Sequence, residues 1–474
     1  MELNSVKETD VLIAGAGPSG LALACDLARR GVRALVVEQA PSLFPGSRGK
    51  GIQPRTREVF DDLGVGDAVR EHGGPAPIGM TWSGGERRGE YDMFRRAAPT
   101  EAEPYGEPWT MPQWRTQEIL LARLRELGGD VLFSSALTGL SQDTAGVTAQ
   151  LTTGEVRASY LVAADGGRST VRRALGITMD GETVDPAPVL VADVRIAESA
   201  LDRRNWHVFT GGAGYTTLCP LPGTADFQLV AQFRTGAPGL TPDAVRALVA
   251  SRTHLAADAV TEVRWASDFR PRAALAERFR EGRVLLIGDA AHVHSPAGGQ
   301  GLNTSVQDAY NLGWKLGQVL LHGAPAALLE TYEQERRPVA ADMLGLSTRI
   351  HRGEQERGSA AQQLGLGYRG GPLASGRAGV LESGDRAPDG PAGEAGRLFD
   401  VFRGPHFTLL AVGTDVALPA HDGAMLRVFR APANEAYGTG LFLVRPDGYV
   451  GWAGDGPQGL AEYAGPLGLD LKSA

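Results

Sequence analysis

Apolar positions divide this chain into elements before anything else is considered. Asp10-Val11-Leu12-Ile13-Ala14 followed by Gly15-Ala16-Gly17-Pro18-Ser19-Gly20 predicts a buried strand and a tight turn, then a helix over Leu21–Arg30 and a second strand over Val32–Glu38. The same apolar run ending in glycine recurs at Ser159–Gly167 and at Arg283–Ala291, so one sheet assembled from distant segments is expected. Between them, Pro188–Ala197, Trp206–Pro220 and Phe227–Thr235 alternate apolar and polar residues, as half-exposed antiparallel strands do. They predict a separate sheet layer. From 302 to 351 the period becomes helical, with Ala309, Leu312, Leu316, Val319 and Leu320 along one face.

The stretch from about Gly353 to Gly396 is rich in Gly, Ala, Ser, Pro and Arg and predicts a partly extended connector. A third unit follows, with strands at Thr408–Val412, Leu426–Phe429 and Leu441–Val444 and a hairpin turn at Pro446-Asp447-Gly448. Two or three domains are the natural reading of 474 residues.

Composition narrows the function. A net charge of -8 without a basic tail argues against nucleic acid as a partner. The apolar stretch Val11–Ala28 is broken by Gly15, Gly17, Pro18, Gly20 and Asp26 and lacks a basic leader, and no run is long enough to span a bilayer, so a cytoplasmic protein is expected. Cys25 and Cys219 have neither disulfide-framework nor ligand spacing. His292 and His294 lack a third well-placed ligand, so no metal is expected.

Gly-x-Gly-x-x-Gly occurs three times, at Gly15/Gly17/Gly20, Gly365/Gly367/Gly370 and Gly454/Gly456/Gly459. Only the first follows a buried strand, opens a helix and is answered by an acid, Glu38, about twenty residues on. Gly15, Gly17, Pro18, Ser19, Gly20, Glu38 and Gln39 are therefore the expected dinucleotide residues. A carboxylate at Glu38 accepts ribose hydroxyls and repels a 2′-phosphate, so FAD or NAD is favoured over NADP at this site.

The other two strand ends decide between them. Asp165-Gly166-Gly167-Arg168-Ser169-Thr170-Val171-Arg172 and Gly288-Asp289-Ala290-Ala291-His292, with the opening glycines, resemble the three fingerprints of the class A FAD-dependent aromatic hydroxylases, the p-hydroxybenzoate hydroxylase fold. Gly288–Lys315 and Ser47–Thr56 are similar to the polyketide hydroxylase, phenol hydroxylase and rifampicin monooxygenase branch. The resemblance implies non-covalent FAD, with Asp289 on the ribityl chain, Arg48 and Gln113 along the cofactor, and Asp165, Gly166 and Gly288 in the same site. It places Pro296 and Gly298 near the flavin ring and the backbone from Gly298 through Gly299, Gly301 and Leu302 to Asn303 at its pyrimidine edge; the flavin, rather than a side chain, carries the chemistry.

The implied fold class is α/β, a Rossmann-like FAD domain with an inserted antiparallel-sheet substrate domain and a C-terminal thioredoxin-like domain. The boundaries expected are 1–75, 105–180 and 276–352 for the FAD domain, 76–104 and 181–275 for the sheet domain, 353–396 for the connector and 397–474 for the last. With no cysteine after Cys219, that last domain has packing or dimer contacts rather than redox chemistry, and a monomer or homodimer is expected. The resemblance implies monooxygenation: NADPH or NADH, docking briefly, reduces the flavin, dioxygen forms a flavin hydroperoxide, and a bulky aromatic or polyketide-type small molecule is hydroxylated. Baeyer–Villiger oxygenation, antibiotic inactivation, and non-catalytic binding of flavin or polyketide are the alternatives. Met80, Trp82, Phe94, Tyr215, Leu218 and Phe227 are the expected substrate lining, because apolar ligands bury themselves between domains.

Overall fold

The computed structural model describes residues 7–471, apart from 95, 212–213, 419–423 and 470. The three glycine-terminated strands lie side by side in one sheet. Lys7–Ala14 pairs in parallel with Ala34–Val37 on one side and with Gly154–Ala163 on the other, and the latter pairs in parallel with Val284–Leu286. Their residues are apolar on both faces because both faces are covered, and Val11, Leu12, Ile13, Leu161, Val162, Leu285 and Leu286 are fully buried. All these strands end at one edge. Parallel sheets bind ligands beyond their carboxyl ends, so that edge is where the cofactor is sought.

The 21-residue helix Gly301–Leu321 packs closely on the first helix, Pro18–Arg29. A Cβ on Gly313 would lie 2.2 Å from an Asp26 carboxylate oxygen, so only glycine allows this approach. The sequence predicts one apolar face for this helix, yet residues 303 to 318 are all buried. Its other face is covered by the C-terminal unit, where Trp314 packs edge-on to Phe407 at 5.4 Å between ring centroids.

The middle segments form a seven-stranded sheet. Val189–Ile196 is flanked by Asp226–Gln232 and Val260–Phe269, both antiparallel to it. The stretch Trp206–Pro220 is two strands, Asn205–Phe209 and Thr216–Pro220, paired antiparallel, because a glycine-rich segment reverses the chain between them. Ile78–Ser83 and Glu86–Tyr91 complete the far edge. One face is sealed by the helix Pro242–Arg252, whose Val245 and Val249 pack on Leu190, Ala192, Val194 and Leu229.

The last unit has a six-stranded sheet in which Phe407–Val412 runs parallel to Leu426–Ala431 and antiparallel to Gly440–Val444. Residues expected to be connector contribute to it: Ser375–Ala378 pairs with Val450–Gly454, and Leu381–Glu382 folds back on Ser375–Ala378. Gly376 and Gly379 hold φ of +82° and +52°, so glycines that read as linker are the residues that let this edge approach its neighbours.

Candidate active site

The groove at the strand ends begins with the three opening glycines, each with a different task. Gly15 has φ +108°, and a Cβ there would sit 2.3 Å from the Ala164 carbonyl oxygen; one on Gly20 would sit 2.1 Å from the Gly15 oxygen. A Cβ on Gly17 would meet nothing within 4 Å. Gly17 thus faces the groove at a helix start that has Pro18 in its first turn and no side-chain cap. Free amides and the helix dipole there suit a pyrophosphate. Glu38 stands at the groove edge, its two oxygens accepting the amides of Ala16 at 3.0 Å and Ala40 at 2.9 Å, with Gln39 exposed beside it. Ser19 is buried against Gly288, where a Cβ would come within 2.9 Å of the Ser19 hydroxyl.

Asp165 does something the sequence did not foretell. One carboxylate oxygen accepts the amides of Thr170 and Val171 at 2.8 and 3.2 Å, capping a short helix after Gly166, which has φ +78°. Arg172 donates to the carbonyls of Ala290 and Gly167, each at 3.0 Å. The second fingerprint therefore braces the third. Asp289 lies exposed along the groove, with His292 and Arg48 near enough to favour its charged form. Arg48 is held over the Phe44 ring at 5.0 Å, and Gln113 accepts the Gly49 amide at 2.9 Å.

At the far end, Pro296–Gly298 forms a 3-10 turn, Gly299 is left-handed at φ +62°, and the Gly301–Leu321 helix starts without a side-chain cap. Asn303 is a staple: its oxygen accepts the Gln53 amide at 2.8 Å and its amide donates to Gly51 and Gly299 at 3.0 and 2.8 Å. Leu302 lies against Gly49. Beneath the turn, Arg336 and His292 hold the two oxygens of Asp308 at 2.8 and 2.5 Å, and His294 joins His292 at 2.9 Å. Burial and His292 push the His294 pKa well down. Two uncapped helix starts, the open Gly17 and the Asp289–Arg48 edge together fit a pyrophosphate-bridged dinucleotide.

Sheet parity corrects the substrate lining. Met80, Trp82, Leu218 and Phe227 point to the face packed under Pro242–Arg252 and are core residues there. Only Phe94 and Tyr215 of the expected six lie elsewhere: Phe94 is half-buried with its ring 6.3 Å from Trp206, and Tyr215 is exposed just before Thr216–Pro220. On the other face, cross-strand register sets two rows. Ser267, Val191, Val230, Thr217, Val208 and Thr81 form one; Trp265, Asp193, Gln228, Cys219, Trp206 and Gly79 form the next. Val230, Thr217, Val208 and Trp206 are half-buried where their neighbours in sequence are largely buried, so this face is the open one. Both ends of it are tied to the cofactor segments. Gln228 bonds the Ser47 carbonyl and Lys50, while Gln232 donates to Asp185 at 2.6 Å, which lies 3.7 Å from His351, itself 2.8 Å from Ser295. A one-residue shift along Phe227–Phe233 separates the two faces. Gln228 and Gln232, polar residues flanking Val230, were the available signal.

Residues 8–347 match the FAD binding domain family, and residues 382–466 match the aromatic-ring hydroxylase C-terminal family. A flavin-dependent monooxygenase of Mycobacteroides abscessus is 47% identical over 472 residues, covering 96% of this chain and 98% of that one. The 12-dehydrotetracycline 5-monooxygenase/anhydrotetracycline 6-monooxygenase of Streptomyces rimosus is 36% identical, covering 96% and 97%. Among solved structures, a ternary complex of aklavinone-11 hydroxylase with FAD and aklavinone superposes with a TM-score of 0.81 at 29% identity, covering 98% of this chain and 99% of that one. With the groove fitting the cofactor, the chain belongs to the FAD-dependent aromatic-ring hydroxylase family and is a flavin monooxygenase.

Proposed function

We propose that this enzyme uses FAD, NAD(P)H and dioxygen to hydroxylate a bulky, flat aromatic of the polyketide type. The observation that carries this reading is the open sheet face: a floor of small and β-branched side chains, Val191, Val230, Thr217 and Val208, joined at both ends to cofactor segments. Such a floor offers a planar ring system broad apolar contact without fixed polar demands. Trp206, Phe94 and Tyr215 form its aromatic rim. Bound FAD supplies the redox chemistry, taking reducing equivalents from the nicotinamide and activating dioxygen. The protein's part is to hold the flavin through Gly17, Glu38, Arg48, Gln113, Asp289 and the Gly298–Asn303 backbone, and to keep water from the reacting ring.

In this reading the chain divides into a Rossmann-like FAD domain, an inserted substrate sheet and a thioredoxin-like C-terminal domain that begins before residue 375 rather than at 397. The enzyme works in the cytoplasm; among the described residues no helix is long and apolar enough to cross a membrane. The test is a screen of aromatic polyketides and ansamycin-type antibiotics, following NAD(P)H loss and product mass. Substrate-stimulated oxidation with a gain of one oxygen is expected. FAD-loaded protein that oxidises no more NAD(P)H with any of them than without would sink the proposal.

A further inference from the structure

The turn at Pro296–Gly301 is held from behind by a segment whose composition marks it only as connector. Ser359–Gln362 forms a 3-10 turn, and Gln363 follows it with φ +63°. Among the described residues other than glycine, only Ser134 shares a positive φ. Glutamine gains nothing from that conformation in itself, so packing imposes it, and residues held this way concentrate at functional sites. Gln363 is 1% exposed. Its carboxamide lies between those of Gln300 and Gln307, at the start of the Gly301–Leu321 helix.

There the three carboxamides form a directed chain. Gln307 donates from Nε2 to the Gln363 Oε1 at 2.5 Å, Gln363 from Nε2 to the Gln300 Oε1 at 2.7 Å, and Gln300 from Nε2 to the Gly298 carbonyl at 2.7 Å. The direction is fixed at one end. The Gln300 nitrogen also meets the Ala361 carbonyl at 3.3 Å, and carbonyl oxygens only accept, so Gln300 must turn its oxygen to Gln363 and Gln363 must answer with an N–H. The Thr304 hydroxyl, whose own proton goes to the Gln300 backbone carbonyl at 3.0 Å, accepts from the same Gln363 nitrogen at 3.3 Å.

The acceptors of the turn are thereby occupied. Pro296 takes the Gly299 amide, Gly298 the Gln300 side chain and Gly299 the Asn303 side chain. The amides of Gly301 and Leu302 have no acceptor among the described residues. Donors left free and acceptors engaged are the polarity that suits a cofactor edge gaining negative charge on reduction.

We propose that Gln363 is a positioning residue for the flavin: acting through Gln300, it keeps the Gly298 carbonyl turned into the protein and the neighbouring amides available to the cofactor. The inference rests on the reading that puts the Gly298–Asn303 backbone at the flavin edge as amide donors, and it adds the distant residue that gives this backbone its polarity. Without a donor from Gln363 the Gln300 oxygen is stranded in a buried site. Its carboxamide then gains by turning over, which sets oxygen against the Gly298 carbonyl and drives that carbonyl toward the groove.

The test measures the midpoint potential of the FAD-loaded protein by dye-coupled reduction, with FAD affinity and thermal unfolding recorded beside it. Gln363→Met keeps the length of the side chain but has no amide to donate. It should hold oxidised FAD and bind reduced FAD about tenfold more weakly relative to it, a potential lower by about 30 mV for a two-electron couple. Gln363→Gly removes the carboxamide while relieving the left-handed backbone, which guards against a methionine variant that does not fold, and it should shift the potential in the same direction. A residue that only packs the turn would change the unfolding temperature and leave the potential alone. A wild-type potential in either variant that retains FAD therefore overturns the proposal, and failure of both to retain FAD marks Gln363 as scaffold and overturns it too. Gly301→Asp, which acts on the same amides without touching Gln363, separates the proposal from its premise. If it lowers the potential and the Gln363 variants do not, the proposal fails alone; if no variant moves the potential, the turn has no electrostatic role and the premise fails with it.

Discussion

Two lysines, Lys315 buried and Lys50 half-buried, stand on opposite sides of the same cofactor-bearing framework and are treated in opposite ways. Lys315, toward the C-terminal unit, donates to Asn311 at 2.9 Å and to Glu335 at 2.8 Å; Arg445 takes both oxygens of Glu335 at 2.6 and 2.9 Å and also pairs with Asp447. Glu58 likewise has Arg55 on one oxygen and Arg386 on the other. Each carboxylate oxygen in that interface has a donor. Toward the middle sheet, among the described residues Lys50 has one hydrogen bond and Asp193 has none. A saturated interface of buried ions is a permanent joint, since removing either partner strands the other's charge. In the reading proposed above, an unsaturated one is where a ligand completes the structure. The difference separates the joint that holds the molecule together from the surface that works.

The comparison can be broken most decisively at Glu335. Glu335→Ala would strand Arg445 and Lys315 and should cost roughly 3–5 kcal/mol of stability in denaturant unfolding, while turnover per bound FAD stays close to wild type. A loss below about 1 kcal/mol would mean that this interface is no more committed than the other. Removal of the C-terminal unit should destabilise the rest of the chain for the same reason.

Asp193 should respond with the opposite sign. Burial pushes its carboxyl from 3.8 up to about 6, with Ser47 opposing. Its folded state holds the proton more tightly than the unfolded chain, so the stability it contributes is complete below about pH 4 and lost as pH rises through about 6. Asp193→Asn should therefore stabilise the protein at neutral pH by up to roughly 3 kcal/mol, with no gain in acid. Urea midpoints measured across that range check it; a variant less stable at pH 7 would show that the carboxylate is needed ionised.

Asp289 and Gly301 sharpen the working side. Asp289→Ala should weaken FAD by roughly 1.5–3 kcal/mol in a cofactor titration, and unchanged affinity would remove Asp289 from the site. The smallest effect is expected at Gly301, where an added Cβ meets only ordinary contacts, 3.6 Å from the His294 Cβ. Gly301→Asp should leave FAD bound but oppose the helix dipole by about 1 kcal/mol, lowering the flavin midpoint potential by roughly 20 mV for a two-electron couple. A potential equal to wild type would leave the turn a purely steric role.

Motifs set by backbone geometry were legible in the sequence, because a glycine that must be glycine leaves a mark. Gly15 and Gly20 sit in contacts that no side chain tolerates, and Gly299 in a left-handed conformation that side chains rarely adopt. The face of a strand was not legible in the same way. Phe227 and Val230 are both apolar, and hydrophobicity alone does not say which neighbour, a covering helix or a ligand cleft, each one meets. Nor does the spacing of Arg445 and Asp447 from Lys315 and Glu335 reveal a shared ion cluster, since tertiary packing brings them together across more than a hundred residues. Ser375–Ala378 was hidden by its composition: a strand of small residues at a sheet edge has little hydrophobic signature.

The two faces of the middle sheet also bear on how such an enzyme diverges. Leu190, Ala192, Val194, Phe227 and Leu229 pack under the helix Pro242–Arg252, while Val191, Thr217, Gln228 and Val230, interleaved with them, lie on the opposite face, where the proposed reading puts the substrate. In that reading, mutation at alternate positions can reshape the space offered to a substrate while leaving the packed core of the sheet unedited. New ring systems become reachable by single steps that selection does not first have to rescue from misfolding.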